Sequence, residues 1–263
     1  MSQSSFFLTQ GNLPVLISMP HNGVQIPDDI AQNMEPSALL STDTDWYMDE
    51  LYEFAEAMGI WIIKPKYSRY VIDLNRDPKG INLYPGANST ELCPTTDFDM
   101  KPLYLPGHNP DETEINRRIT HFWQPYHQAL ADTLSVLRQQ YGTAILLDAH
   151  SIRSQVPRFF EGLLPDFNFG NGDGISCAES LIARIQQLDL SPYSSVINGR
   201  FKGGYITRAY GNPKRNIHSI QLELSQRTYL HEPSNKINPT EFSQVQLKLK
   251  LFVNQLVQFA SNQ

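Results

Sequence analysis

His21 and His150 stand where chemistry is commonly done. The first closes Pro14-Val15-Leu16-Ile17-Ser18-Met19-Pro20-His21-Asn22-Gly23, an apolar run of strand type that stops at a polar turn. The second closes Ala144-Ile145-Leu146-Leu147-Asp148-Ala149-His150-Ser151 in the same manner. In open α/β sheets, ligands collect outside the carboxyl ends of the strands, so two strand-end histidines point to one site. Imidazole nitrogens suit zinc, and a catalytic zinc site takes three protein ligands while leaving a position open. A carboxylate would complete the set, and Asp45, Asp73, Asp148 and Glu223 are the candidates. Asp148 is next but one to His150, so both side chains leave the strand on one face; it either ligates or orients the histidine from behind. The histidine spacing is neither that of HExxH nor that of a zinc finger. No GxSxG occurs and Ser151 has no evident companion base, which favours a metal over a serine nucleophile.

Strands alternating with helices must position these residues. Apolar periodicity predicts a helix over 41–59, with Asp43 and Asp49 placed at its start by the macrodipole. Strands follow over 60–64 and 70–74, the second running into Asn75-Arg76-Asp77. Residues 78–110, including Leu83-Tyr84-Pro85-Gly86, are rich in Pro, Gly, Asn and Thr, and a loop of that length is usually functional. A long helix over 112–140 should divide or kink at Pro125, with Trp123 and Tyr126 in the core. Beyond His150 the reading gives an irregular loop over 162–174 and a helix over 176–188. Strands are expected over 195–197, 205–207 and 219–224, the last with polar members that would face a site. A helix over 242–259 closes the chain. The pattern argues for an α/β fold with a mostly parallel or mixed sheet between helical layers. Without an internal repeat or a composition break, residues 1–263 read as a single domain.

Composition narrows the function classes. Of 263 residues 40% are hydrophobic, enough for a sizeable core, and the formal net charge of −6 offers no basic field for a nucleic acid. Apolar runs are too short for a membrane span and the first residues lack a basic leader, so a cytoplasmic protein is expected. Cys93 and Cys177 fit reduced thiols rather than a disulfide framework. A homo-oligomer is compatible with all of this.

Several segments together resemble one family. They are Ser18-Met19-Pro20-His21-Asn22-Gly23, Asp43-Thr44-Asp45-Trp46, Ser68-Arg69-Tyr70-Val71-Ile72-Asp73-Leu74-Asn75-Arg76-Asp77, Leu147-Asp148-Ala149-His150-Ser151-Ile152-Arg153-Ser154, Asn198-Gly199-Arg200-Phe201-Lys202-Gly203-Gly204-Tyr205-Ile206-Thr207-Arg208 and Gln221-Leu222-Glu223. The family is that of the N-formylglutamate amidohydrolases, and the resemblance runs over residues 14–232. It implies kinship with zinc carboxypeptidases and aspartoacylase-like deacylases, hence a three-layer α/β/α fold with a central mixed sheet of the zinc-exopeptidase (phosphorylase/hydrolase-like) type. It further implies one divalent metal, expected to be zinc, held by His21, Asp45 and His150. The wider superfamily carries its acidic ligand as HxxE, whereas Val24 stands at that position here.

The resemblance also assigns roles. Glu223 would be the general acid and base working on a metal-activated water, and Arg76, beside Asn75, would stabilise the oxyanion. Arg69, Asn75, Arg153, Arg200 and Arg208, with Lys202 nearby, would receive a small dicarboxylate. Guanidinium forks match carboxylates, and it is notable that an acidic chain concentrates its arginines in these motifs. The implied reaction is hydrolysis of N-formyl-L-glutamate to formate and L-glutamate, a step of histidine degradation. A related deacylase or carboxypeptidase for another N-acyl acidic amino acid, and a dicarboxylate-binding protein that has lost its metal, are the alternatives. The intact His21, His150 and Glu223 favour an enzyme.

Overall fold

The computed structural model describes residues 4–81 and 88–262, so Leu83-Tyr84-Pro85-Gly86 lies outside the described residues. Seven strands form one mixed sheet: β1 Phe6–Thr9, β2 Val15–Ser18, β3 Trp61–Pro65, β4 Ala144–Ile152, β5 Phe167–Gly170, β6 Ser195–Ile197 and β7 Ile217–Ser225, in the spatial order β1-β3-β2-β4-β7-β5-β6. β3, β2, β4 and β7 run parallel; β1 and β5 join them antiparallel. Among the described residues eight α-helices accompany the sheet: α1 Asp28–Ala31, α2 Met48–Leu51, α3 Glu53–Ala57, α4 Glu112–Arg118, α5 Gln124–Tyr141, α6 Glu179–Gln186, α7 Tyr205–Tyr210 and α8 Pro239–Ala260.

Both central strands are buried on both faces, as parallel strands between helical layers must be. Ile145, Leu147 and Ala149 of β4, with Ile220, Leu222 and Leu224 of β7, pack under α8, whose Val245, Leu249, Phe252, Leu256 and Phe259 recur at helical spacing. On the other face Leu146 meets Tyr126, Leu130, Leu134 and Leu137 of α5. That second face changes character along the strands: after Ala144 and Leu146 come Asp148 and His150, and on β7 come Gln221 and Glu223. The register pairs Asp148 with Gln221 and His150 with Glu223. Apolar side chains anchor the amino-terminal halves, and polar ones are left at the carboxyl ends.

Elsewhere local preference yields to tertiary context. The expected helix over 41–59 begins only at Met48, after a turn in which Ser41 and Tyr47 take positive φ. Asp49 does lie in the first turn of α2, but Asp43 is buried in the turn and accepts the Phe98 amide at 2.9 Å. Residues 70–74 form no strand, and 205–207, also read as strand, open α7. The long helix divides, but at a π-helical turn over Ile119–Trp123 rather than at Pro125 itself. Pro125 follows directly within the first turn of α5, and the wide turn absorbs its missing N–H. β1 and β5 were not foreseen.

Candidate active site

Three elements bring the candidate ligands together. β2 ends at Ser18 and delivers His21 through a tight turn, β4 carries His150, and the turn before α2 carries Asp45, whose amide donates to the His21 carbonyl at 3.1 Å. All three side chains are buried, and their ligand atoms lie within 4.8 Å of one another. Nδ1 of His150 is 3.2 Å and Nδ1 of His21 3.9 Å from Asp45 Oδ2. The same oxygen accepts the Ser151 amide at 3.1 Å.

The far ring nitrogens are clamped. Asp73 Oδ1 meets His21 Nε2 at 2.7 Å, and Asp148 Oδ1 meets His150 Nε2 at 2.9 Å. Each imidazole therefore backs onto a carboxylate and turns Nδ1 to the shared centre, the arrangement that fixes tautomer and raises ligand basicity around a metal. The carboxylates are themselves fixed. Asp73 Oδ2 receives Arg69 Nη2 at 2.6 Å, while Asp148 Oδ2 receives Thr207 Oγ1 at 2.8 Å and Asn75 Nδ2 at 3.3 Å. Two histidines and one carboxylate form the donor set of many catalytic zinc sites, so these residues fit a divalent metal. Of the four carboxylates weighed from sequence, Asp45 faces both Nδ1 atoms, Asp73 and Asp148 stand behind the rings, and Glu223 lies beside His150 in the sheet register.

Charge is distributed unevenly over the two histidines. Burial and the Arg69 cation hold His21 below the usual imidazole range. Burial also works against a charge on His150, but Asp148, Asp45 and Glu223 together outweigh it and hold that ring well above the usual range. His21 thus holds a proton less firmly than a free imidazole and His150 more firmly, so a metal bound there competes with a proton chiefly at His150. Metal affinity is expected to rise with pH through the range, above the usual imidazole one, in which His150 gives up its proton, with proton release on binding. Calorimetry in buffers of different ionisation enthalpy measures this; affinity independent of pH would contradict the assignment.

A cavity opens beside the cluster, lined by His21, His150 and Glu223, by Arg69, Arg76 and Arg200, and by Asn75. Phe98, Phe159 and Phe201 form an apolar wall, and Gln221 and Gly204 also contribute. Burial pushes the Glu223 carboxyl up to about 8, with the His150 cation opposing. Gln221 Nε2 is 3.4 Å from Glu223 Oε2, and Gln221 Oε1 accepts the Gly204 amide at 2.6 Å. Arg76 donates to the Thr90 carbonyl, the Thr90 hydroxyl and the Asn75 carbonyl at 3.1, 3.1 and 3.2 Å. The Arg69 guanidinium stacks over Phe98 at 4.9 Å.

Arg153 and Arg208 are not in the cavity lining. Arg153 forks onto Asp99 at 2.7 and 3.4 Å, and Arg208 Nε donates to the Gly203 carbonyl at 2.9 Å. Gln221 lines the cavity as the polar alternation of its strand predicts, although the sequence assigns it no role of its own, and Thr207, which holds Asp148, carries no signal in the sequence.

Fold and site define an α/β protein with a buried His-Asp-His group able to hold a metal ion beside a carboxyl of raised pKa, at the carboxyl ends of a largely parallel sheet. The model of the N-formylglutamate amidohydrolase family matches residues 13–230, and the chain belongs to that family. It is 47% identical to an N-formylglutamate deformylase of Pseudomonas putida over 85% of this chain and 84% of the relative. It is 46% identical to the N-formylglutamate deformylase of Pseudomonas aeruginosa PAO1, with the same coverage. The crystal structure of N-formylglutamate amidohydrolase from Ralstonia eutropha JMP134 superposes with a TM-score of 0.85 at 25% identity, covering 99% of both chains. A gene product of Agrobacterium tumefaciens shares the fold, with a TM-score of 0.73 at 16% identity over 98% of this chain and 96% of the other. Among the described residues no helix is long and apolar enough to cross a membrane.

Proposed function

We propose that the chain hydrolyses N-formyl-L-glutamate to formate and L-glutamate, the reaction for which its Pseudomonas relatives are named. The observation that carries this is the pair of imidazoles turned by Asp73 and Asp148 toward one Asp45 oxygen, on the floor of an arginine-lined cavity. In this reading His21, Asp45 and His150 hold one divalent metal, zinc, and the whole chain works as a single cytoplasmic domain of zinc-exopeptidase type. The mixed sheet with its site at the strand ends supports that fold kinship.

A formamide carbonyl is a poor electrophile. The bound metal supplies a Lewis acid and makes water a usable nucleophile at neutral pH. Glu223 takes a proton from the attacking water and returns it to the departing amine. Burial, which raises this carboxyl to about 8, favours the protonated form that delivers the proton to the amine, whereas the ionised form that takes it from water is favoured by positive charge nearby. Arg76, fixed by its bonds to Thr90 and Asn75, presents a cation to the developing oxyanion. Arg69, Arg200 and Asn75 line the remaining wall and receive the substrate carboxylates. Arg153 and Arg208 serve from outside the lining: Arg208 secures Gly203 in the loop that carries Arg200, and Arg153 secures Asp99 beside Phe98, on which Arg69 stacks.

Substrate choice tests the reading. N-formylglutamine leaves a buried cation without its partner, a loss of roughly 2–5 kcal/mol, so its kcat/KM should fall at least about thirtyfold below that of N-formylglutamate. N-formylaspartate keeps both charges and should lose less. Equal formate release from formylglutamate and formylglutamine would move the assignment toward a general N-acyl amino-acid deacylase.

A further inference from the structure

The segment from Val71 to Arg76 bears three of the site's side chains yet belongs to no helix or strand. Asp73 clamps His21, Asn75 reaches Asp148, and Arg76 lines the cavity. Irregular backbone of this kind lacks a ladder to fix it, so something else must hold it. Three side chains of the α4–α5 helix do so. Arg118 Nη1 donates to the Val71 carbonyl at 3.0 Å, His127 Nε2 to the Leu74 carbonyl at 2.8 Å, and Trp123 Nε1 to the Arg76 carbonyl at 3.1 Å.

The π-helical turn over Ile119–Trp123 explains how one helix face can supply all three. In an α-helix, residues five apart are separated by about 140° around the axis, so Arg118 and Trp123 would point apart. A π turn closes its hydrogen bond at i→i+5 and brings such residues much closer to one face. His127, four beyond Trp123, continues the face in ordinary α geometry, and the two rings stack with centroids 3.6 Å apart and 17° between planes. Burial lowers the His127 pKa to about 4, so the ring is neutral. Its Nε2 carries the hydrogen for Leu74, and Nδ1 accepts from the Tyr210 hydroxyl at 2.9 Å.

We propose that Trp123 and His127, aligned with Arg118 by the π turn, are positioning residues that fix the 71–76 segment and thereby set Arg76 and Asn75 against the substrate. Trp123 is thus more than the core residue its apolar spacing predicts. The catalytic readout rests on the function proposed above; the structural readout does not.

Trp123→Phe keeps the ring and removes one donor. In the zinc-loaded enzyme it should lower kcat for N-formylglutamate about fivefold, the factor a lost hydrogen bond is worth. His127→Phe should likewise lower kcat, and His127→Gln, which keeps a donor near the place of Nε2, should restore it. Amide hydrogen exchange over residues 73–77 should accelerate about fivefold in both Phe variants and return in His127→Gln. Unchanged exchange in both Phe variants, or faster exchange with unaltered kcat in an active enzyme, would overturn the inference. If the wild type fails to deformylate N-formylglutamate, the functional reading falls, and exchange alone then decides whether the clamp exists.

Discussion

Glu223→Gln is expected to lower formate release by two orders of magnitude or more while zinc remains bound. The substitution keeps the size of the side chain and removes its basicity, and general acid/base catalysis contributes roughly 10²- to 10⁴-fold. Metal retention follows from the position of Glu223, which lies beside His150 in the register and outside the His21, Asp45 and His150 group. The Gln221 amide, 3.4 Å from Glu223 Oε2, also accommodates the change, because a glutamine carbonyl oxygen accepts as the carboxylate does. Turnover rates and zinc content of the purified variant measure both halves. Loss of zinc would make Glu223 a ligand and displace Asp45 from that role.

His21→Ala and His150→Ala should each abolish zinc retention and activity with the fold preserved. In the proposed site each histidine is one of three ligands, and the remaining pair would not hold the metal against water. The fold survives because every buried carboxylate of the group keeps at least one hydrogen-bond donor. Without His21, Asp73 keeps Arg69 at 2.6 Å; without His150, Asp148 keeps Thr207 at 2.8 Å. Zinc content, activity and circular dichroism of the two variants provide the check, and normal turnover with full zinc in either would sink the ligand assignment.

The parts of this site legible in the sequence are those fixed by strand geometry. An apolar run that stops at a polar turn placed His21, and the two-residue repeat put Asp148 with His150 on one face. Gln221 and Glu223 of β7 do face the cavity, because both sheet faces are covered and a charge there has nowhere else to go.

What failed was local preference overridden from a distance. Val71 and Ile72 are β-formers, yet their segment runs free of the sheet and is held by Arg118, His127 and Trp123. Tyr205, Ile206 and Thr207 also favour a strand. Their helix is started by remote acceptors, Gln221 Oε1 on the Gly204 amide and Asn75 Oδ1 on the Ile206 amide at 2.8 Å, which no local window contains. β5 went unseen because Phe167-Asn168-Phe169-Gly170 is short and its evidence is its antiparallel register with β7. The arginines share one residue type and differ only in partner: Arg69 is committed to Asp73, Arg153 to Asp99, and the cavity is left to Arg76, Arg200 and the face of Arg69.

Titration of zinc into chelator-stripped protein, with formate release from N-formylglutamate followed at each step, tests the central claim most directly. The account predicts no release from the stripped protein and a rise that saturates at one zinc per chain. Undiminished formate release by protein shown to be free of metal would contradict it.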